Sequence, residues 1–232
     1  MSKFLKRNDS FMSKNGIPGY FPVLINLEKF PCLVVGGGDV ALRKVLSLLE
    51  FNASVTVIAP KLCTPLIELS RKKKIKIIRK PYSIEYLNDY KITFCATDNE
   101  KINLTVFRDC REKNILINTA DNLALCDFIL PANIKRGDLT ISIASQGKAP
   151  FFTRATKKKI EVLIPPVYSD ITKLAGDFRK KVLTVSRKKS SHYKPDMFKK
   201  FSSTDWEEIM RGNGKRKSKY QIQKLLKEPN KS

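Results

Sequence analysis

The sequence has few of the residues that form metal sites or covalent cross-links. Its one histidine, His192, stands in a polar, lysine-rich segment, so a metal site built from several histidines is excluded. Its five cysteines are odd in number and include no C-x-x-C pair, which argues against a disulfide framework or a zinc ribbon. Cys32 and Cys95 stand in apolar, strand-like runs, where we expect them to serve as small core hydrophobes.

Long apolar runs are also missing. No segment approaches the length of a transmembrane helix. The first 15 residues are polar and basic and lack the apolar centre of a signal peptide. We therefore expect a cytoplasmic protein with no membrane partner, and a flexible leader over residues 1–17.

Acidic residues are scarce, since 22 Asp and Glu stand against 45 Lys and Arg, giving a formal net charge of +23. A field of this sign attracts polyanions. The charge fits a nucleic-acid partner, a solvated lysine-rich surface, or a small substrate with many carboxylates, and it does not separate these three. Residues 186–232 hold only 14 of the basic residues, so the charge is not confined to a C-terminal arm.

What is present is an alternation of strand-like and helical segments. Strands are predicted at residues 32–35, 54–58, 75–78, 92–96 and 115–119, and helices at residues 39–51, 62–70 and 102–113. Asn52 is a suitable helix stop, because asparagine tolerates left-handed backbone. Strands separated by helices pair in parallel, so the fold class is α/β with an N-terminal Rossmann-like parallel sheet.

The pattern changes after Asp127. Two strand-like runs, 128–134 and 139–144, flank a Lys-Arg-Gly-Asp turn and predict an antiparallel hairpin outside the first domain. A helix is predicted at residues 150–163, with further helical segments to about Lys200. Residues 212–232 are rich in Gly, Lys and Ser and are predicted to form a basic, disordered tail.

A dinucleotide-binding motif, G-x-G-x-x-A, covers residues 36–41 between the first strand and the first helix. Gly36 permits the tight turn, Gly38 lets a pyrophosphate approach the backbone, and Ala41 lets the helix pack closely on the sheet. The helix N-terminus then offers free N–H groups to the phosphates. The alternative is a glycine-rich turn without a ligand.

The acid that normally follows the second strand and holds the adenosine ribose is missing, because the sequence there is Ala59-Pro60-Lys61. The choice between NAD and NADP therefore stays open. Lys61 would favour a 2′-phosphate, or it is an ordinary solvated lysine.

Several ordered segments resemble one family. They are residues 21–60, the A-T-D run 96–98, the N-x-x-D run 118–121, the C-D-F-I-x-P run 126–131 and the Ser/Gly run 145–150. Together they resemble the precorrin-2 dehydrogenase/sirohydrochlorin ferrochelatase family, which also forms the N-terminal part of the bacterial siroheme synthases. The resemblance covers about residues 20–165 in unbroken order.

This resemblance implies an enzyme that oxidises precorrin-2 to sirohydrochlorin with NAD and then inserts ferrous iron to give siroheme. It implies a homodimer with an NAD-binding Rossmann domain at 18–130, a small β-containing dimerisation domain at 131–164 and a C-terminal helical domain at 165–211. The methyltransferase part of the fused synthases has no counterpart here, so a separate uroporphyrinogen methyltransferase is expected to supply precorrin-2.

The resemblance also assigns site residues. The catalytic residues are Asp121 and Ser145, and Asp121 is also the expected transient ligand of the iron, or of cobalt. The expected cofactor-binding residues are Gly36, Gly37, Gly38, Asp39, Val40, Pro60, Lys61 and Thr97. Asp121 follows the fifth strand at its carboxyl end, the edge where ligands bind in open α/β sheets. The alternatives are purely structural roles. Asp121 would stabilise a turn or cap a helix, Ser145 would stabilise a turn, and Thr97 and Asp98 would cap a helix.

Two rival functions remain. The first is a dehydrogenase without chelatase activity. The second is an NAD-sensing module whose basic tail binds nucleic acid or a partner protein. Nucleic acid is not the expected partner, because the tail lacks the closely spaced aromatic residues that stack on bases.

Overall fold

The computed structural model describes residues 19–187, 189–211 and 214–227. The chain divides into two compact units between Leu130 and Pro131. The predicted leader, residues 1–17, lies outside the described residues. The finer division into a dimerisation domain at 131–164 and a helical domain at 165–211 stays a prediction.

The first unit is a parallel five-stranded sheet in the order β3-β2-β1-β4-β5, which confirms the predicted α/β Rossmann-like class. Its strands are β1 (Cys32–Val35), β2 (Val55–Ile58), β3 (Lys76–Ile78), β4 (Ile92–Cys95) and β5 (Leu116–Thr119). Its helices are α1 (Asp39–Leu49), α2 (Thr64–Arg71) and α3 (Glu100–Glu112), with 3-10 helices at Leu27–Lys29, Ile84–Leu87 and Leu123–Leu125.

The central strands are buried along their whole length because helices cover both faces of the sheet. Every residue of β1, β2 and β4 is buried. Val45 of α1 packs in the cluster on one face, and Val106 of α3 packs in the cluster on the other. Cys32 and Cys95 are buried free thiols, as predicted. Burial raises the pKa of Cys95 to about 12, so this thiol stays protonated.

Helix ends differ from the predictions by a residue or two, for local reasons. α1 ends at Leu49, and Asn52 then adopts the expected left-handed conformation with φ 56°. α2 begins at Thr64 instead of residue 62, because the Cys63 N–H donates to the Gly37 carbonyl at 2.8 Å. That hydrogen bond holds Cys63 outside the helix.

The second unit begins with the predicted antiparallel hairpin. Its strands are β6 (Ala132–Arg136) and β7 (Leu139–Ile143), joined through Gly137 at φ 59°. The first strand starts later than the predicted residue 128, because the Phe128 carbonyl accepts a hydrogen bond from the Asn118 amide of β5. The helices that follow are α4 (Pro150–Leu163), α5 (Tyr168–Ser186), α6 (Tyr193–Ser202), α7 (Trp206–Met210) and α8 (Gly214–Lys227).

The prediction of a disordered tail over residues 212–232 is wrong for residues 214–227, which form α8. Ile222 and Leu225 of α8 are buried in an apolar cluster with Phe178 of α5 and Trp206 of α7. Among the many lysines of this segment, Ile222 and Leu225 form a short apolar stripe at helical spacing. Burial of that stripe stabilises the helix. Residues 212–213 and 228–232 lie outside the described part of the chain.

Candidate functional site

Gly36 is the residue that turns the chain out of β1. Its φ is +126°, a conformation that residues with a side chain rarely adopt, and a β-carbon here would overlap the Ala96 carbonyl. Its N–H donates to the Ile58 carbonyl at 3.0 Å. The ends of β1, β2 and β4 therefore meet at Gly36 with no room for a side chain.

Gly37 joins this turn to the segment after β2. A β-carbon on Gly37 would overlap the Lys61 carbonyl and meet the Ala59 side chain at 3.0 Å. The Gly37 carbonyl in turn accepts the hydrogen bond from Cys63. Gly36 and Gly37 are thus required by contacts inside the protein, whether or not a ligand binds.

Gly38 differs from its two neighbours, because a β-carbon there would meet nothing within 4 Å. It is the N-cap of α1 and has no side chain to cap the helix. The first-turn N–H groups of α1 therefore lack a side-chain cap, and the space beside the exposed Gly38 is open. This surface fits a phosphate, since a helix N-terminus binds anions through its N–H groups and its dipole. Asp39 and Val40 form the first turn.

The segment after β2 brings two further predicted residues to the same sheet edge. Pro60 and Lys61 are exposed, and they follow directly on Ile58 and Ala59. The structure therefore positions the Lys61 backbone against the glycine turn, while its side chain is free to meet solvent or ligand.

Thr97 follows β4, and a buried amide that sequence reasoning missed holds it in position. The Asn103 Nδ2 donates to the Thr97 carbonyl at 3.1 Å, and its Oδ1 accepts from the Thr97 hydroxyl at 2.6 Å. The predicted capping by Thr97 and Asp98 is wrong, because the cap of α3 is Asn99, whose Oδ1 accepts from the N–H groups of residues 101 and 102. Thr97 instead braces the loop, with Asn99 N–H donating to its hydroxyl.

Asp121 stands two residues after β5, in a left-handed conformation with φ 57°. It is exposed, and Ala120 before it is tied to the sheet by a 2.8 Å hydrogen bond to the Cys95 carbonyl. Asp and Asn are the residues other than glycine that adopt this backbone most readily. The carboxylate is therefore presented to solvent from a fixed turn at the carboxyl edge of the sheet.

Asn118, three residues before Asp121, forms side-chain hydrogen bonds that the sequence did not predict. The Lys44 ammonium of α1 donates to the Asn118 Oδ1 of β5 at 2.9 Å, and the Asn118 Nδ2 donates to the Phe128 carbonyl at 2.9 Å. Desolvation by burial lowers the pKa of Lys44, while Cys126 and Asp121 act in the opposite direction. Asn118 stood in the N-x-x-D run, whereas no sequence motif singled out Lys44.

The C-D-F-I-x-P run packs beside β5. The Cys126 sulfur accepts from the Thr119 N–H at 3.2 Å, and the Asp127 carboxylate accepts from the Ile117 N–H at 3.1 Å while pairing with Arg111 at 3.0 Å. The Phe128 ring meets Phe94 edge-on, with centroids 5.5 Å apart. The run thus fixes the turn that carries Asp121.

Ser145 belongs to the second unit, whereas the other predicted site residues belong to the first. Its hydroxyl accepts from the Ala149 N–H at 3.0 Å and lies 2.9 Å from the Thr153 hydroxyl, which donates to it. Gln146 is left-handed at φ 53° and Gly147 at φ 78°. Ser145 thus organises the turn that leads into α4, and it is half-buried.

The first unit therefore brings residues 36–40, Pro60, Lys61, Thr97 and Asp121 to one edge of its sheet. Within the described ranges, no group of three or more His, Cys, Asp or Glu side chains is arranged to hold a metal ion. In the same part of the chain, no helix has the length and apolar character needed to cross a membrane.

Comparisons with known proteins agree with this arrangement. A family model described as putative NAD(P)-binding matches residues 23–132. The siroheme synthase of Pseudoalteromonas translucida (strain TAC 125) is 42% identical over 163 residues, which cover 70% of this chain and 34% of that protein. The siroheme synthase of Buchnera aphidicola subsp. Acyrthosiphon pisum (strain APS) is 36% identical over 196 residues, covering 84% of this chain and 41% of that protein.

The chain thus spans about a third of the length of the first of these relatives. Among solved structures, SirC, a precorrin-2 dehydrogenase, superposes with a TM-score of 0.71 at 23% identity. The match covers 88% of this chain and 100% of the SirC chain, which shows a shared fold.

Proposed function

Because the chain belongs to the family of the precorrin-2 dehydrogenases and the siroheme synthases, we propose that it oxidises precorrin-2 to sirohydrochlorin with NAD as the electron acceptor. The observation that supports this most is the meeting, at one sheet edge, of an open glycine turn and a carboxylate in a fixed left-handed turn.

The glycine turn fits the pyrophosphate of a dinucleotide. Gly38 leaves space where a side chain would stand, and the N–H groups of the first turn of α1 are available to phosphate oxygens. When bound, NAD supplies the hydride acceptor for the oxidation. The loop around Thr97, which is held by hydrogen bonds to Asn103, would position the nicotinamide end of the cofactor. Residues 59–61 offer no acid to the adenosine ribose, so backbone groups would hold it.

Asp121 would remove the proton that leaves the macrocycle as the hydride departs. The oxidation takes two electrons and a proton to the nucleotide as hydride, and a second proton must go to a base. A carboxylate exposed at the ligand-binding edge is available to accept that proton.

Insertion of ferrous iron is the second proposed step. Iron is here a substrate, and we assign Asp121 as its transient oxygen ligand. Metal insertion displaces two pyrrole protons, of which the Asp121 carboxylate would accept one while the other goes to solvent. Ser145 is the second residue that we assign to this step, and its hydroxyl is oriented by Ala149 and Thr153. Anaerobic incubation with sirohydrochlorin and ferrous iron in the absence of NAD tests this step. Siroheme formed no faster than without protein would remove it.

We also propose a homodimer. α4 exposes large apolar side chains that the described residues leave uncovered, and we expect the second subunit to bury them. They are Phe151, Phe152, Val162 and Leu163, which are 62–79% exposed. Light scattering should give twice the chain mass for the wild type and a single chain mass for a Phe151→Asp, Val162→Asp variant. A monomeric wild type at micromolar concentration would contradict this proposal.

The test of the oxidation compares the wild type with Asp121→Asn. Asparagine keeps the left-handed turn and the side-chain shape but removes the basic carboxylate. Loss of a general base lowers the rate by about 10²–10⁴-fold, and NAD affinity should not change. Asp89→Asn is the matched control, because Asp89 is an exposed aspartate that precedes β4 at the opposite edge. An Asp121→Asn enzyme with wild-type activity would refute the assigned role.

A further inference from the structure

The Lys44 ammonium forms no ion pair with any described residue. It is half-buried, and its hydrogen bond goes to the neutral amide of Asn118. Within the described ranges no carboxylate oxygen lies within the 4.0 Å of an ion pair with Lys44. An ammonium taken partly out of water is costly unless it is paired, so its retention in this position calls for an explanation.

The position of Lys44 points to a ligand. Asn118 is the third residue of β5, and Asp121 follows it after one turn, so the ammonium is held at the base of the turn that presents the proposed catalytic carboxylate. Asn118 is itself buried, and its amide nitrogen donates to the Phe128 carbonyl. This hydrogen bond orients the Asn118 side-chain oxygen toward Lys44. A lysine ammonium has three donors, and the Asn118 oxygen takes one of them.

The remaining donors suit a carboxylate. The thiol of Cys126 is next to this site, and burial raises its pKa, so it does not supply the missing negative charge. The exposed Asp121 is within electrostatic reach but does not form an ion pair. The ammonium therefore keeps donors beside the proposed reaction centre to which an anionic group of the substrate can bind.

We propose that Lys44, oriented by Asn118, binds a carboxylate side chain of the tetrapyrrole substrate beside Asp121. The inference rests on the proposed function, because it takes a polycarboxylate tetrapyrrole as the ligand. It names one specific cation that binds a substrate carboxylate, whereas the overall charge of +23 does not identify any single residue. The nucleotide phosphates are assigned to the glycine turn, so NAD binding should not depend on Lys44.

The test uses Lys44→Gln, which keeps a donor for the Asn118 oxygen and removes the charge. Arg43→Gln is the matched control, since Arg43 is the exposed neighbour on the same helix and the change in charge is equal. Affinity for uroporphyrin, a stable tetrapyrrole polycarboxylate, is measured by fluorescence on the full chain, and NAD affinity and melting temperature are measured in parallel. Lys44→Arg tests rescue by a second cation.

Lys44→Gln should bind uroporphyrin about tenfold more weakly or worse, as loss of a charge-assisted hydrogen bond implies. Lys44→Arg should recover most of the affinity, and Arg43→Gln should stay within about twofold of the wild type. NAD affinity should be the same in all four proteins. Wild-type uroporphyrin affinity in a folded Lys44→Gln variant, or an equal loss of NAD and uroporphyrin affinity, would overturn the inference.

Failure of the proposed function is a different result. It would appear as a wild-type protein that forms no NADH from precorrin-2, whatever the Lys44 variants do. A wild type that oxidises precorrin-2, together with a Lys44→Gln variant whose KM and uroporphyrin affinity match it, would instead reject the Lys44 inference alone.

Discussion

Replacing Gly38 by alanine separates the ligand-binding role of the glycine turn from its structural role. At Gly36 and Gly37 a β-carbon would overlap backbone atoms of the protein itself, so alanine there perturbs the fold. At Gly38 the added methyl group meets nothing within 4 Å, and φ is −93°, which any residue adopts. The protein alone should accept Gly38→Ala, whereas a bound pyrophosphate should not.

The expected magnitudes follow from these contacts. The lower conformational entropy of the unfolded chain should raise the free energy of unfolding of Gly38→Ala by about 0.4–1 kcal/mol. Because alanine is a poorer N-cap than glycine and lowers it by a similar amount, the net change should be less than about 1 kcal/mol. Gly36→Ala should instead cost about 2–5 kcal/mol, from left-handed strain and overlap with Ala96. In the complex, the Gly38→Ala methyl group would displace the phosphate from one or two N–H groups of α1. This loss weakens binding by roughly 10- to 150-fold.

Calorimetric titration with NAD and with NADP, together with thermal unfolding, measures both effects. Gly176→Ala is the control, because Gly176 lies inside α5 with open space around it and should only stabilise that helix. The expected pattern is a Gly38→Ala protein that melts like the wild type and binds the nucleotide at least about tenfold more weakly. Unchanged nucleotide affinity in that variant would refute the placement of the pyrophosphate at α1.

Three further predictions concern the supports of the fold and site. Asn103→Leu removes the hydrogen bonds to Thr97 and should cost about 1–3 kcal/mol of stability and also weaken NAD binding, measured by urea unfolding and titration. Leu225→Ala should destabilise the protein by about 2–5 kcal/mol, whereas Tyr220→Ala on the exposed face of α8 should have little effect on the melting temperature. Cys95, with its pKa raised to about 12, should resist alkylation at neutral pH until the chain unfolds, and rapid labelling of the native protein, followed by mass spectrometry, would contradict its burial.

Local patterns were sufficient to predict the first unit. The strands of a sheet covered on both faces are mostly apolar, and 32–35 and 92–96 stand out for that reason. The glycine turn was predictable because steric demands at Gly36 and the open helix end at Gly38 are encoded within a few residues. The position of Asp121 at the carboxyl edge followed from the topology alone.

Interactions between distant segments could not be predicted. Lys44 and Asn118 are 74 positions apart, and their hydrogen bond depends on how α1 packs against the sheet. The support from Asn103 is local, but an asparagine inside a helix gives no signal until its burial is known. The tail was predicted to be disordered because of its lysines. Ile222 and Leu225 nevertheless form an apolar stripe that packs in the cluster around Phe178 and Trp206.

Hydride transfer from precorrin-2 to NAD is the reaction that we propose for this chain. The most direct measurement is an anaerobic reaction of the purified protein with precorrin-2 and NAD, in which NADH and sirohydrochlorin are quantified together over time. We expect the two products to appear in equal molar amounts, and neither to form when NAD is omitted. Sirohydrochlorin that forms at the same rate without NAD, or a protein that yields neither product, would contradict the account.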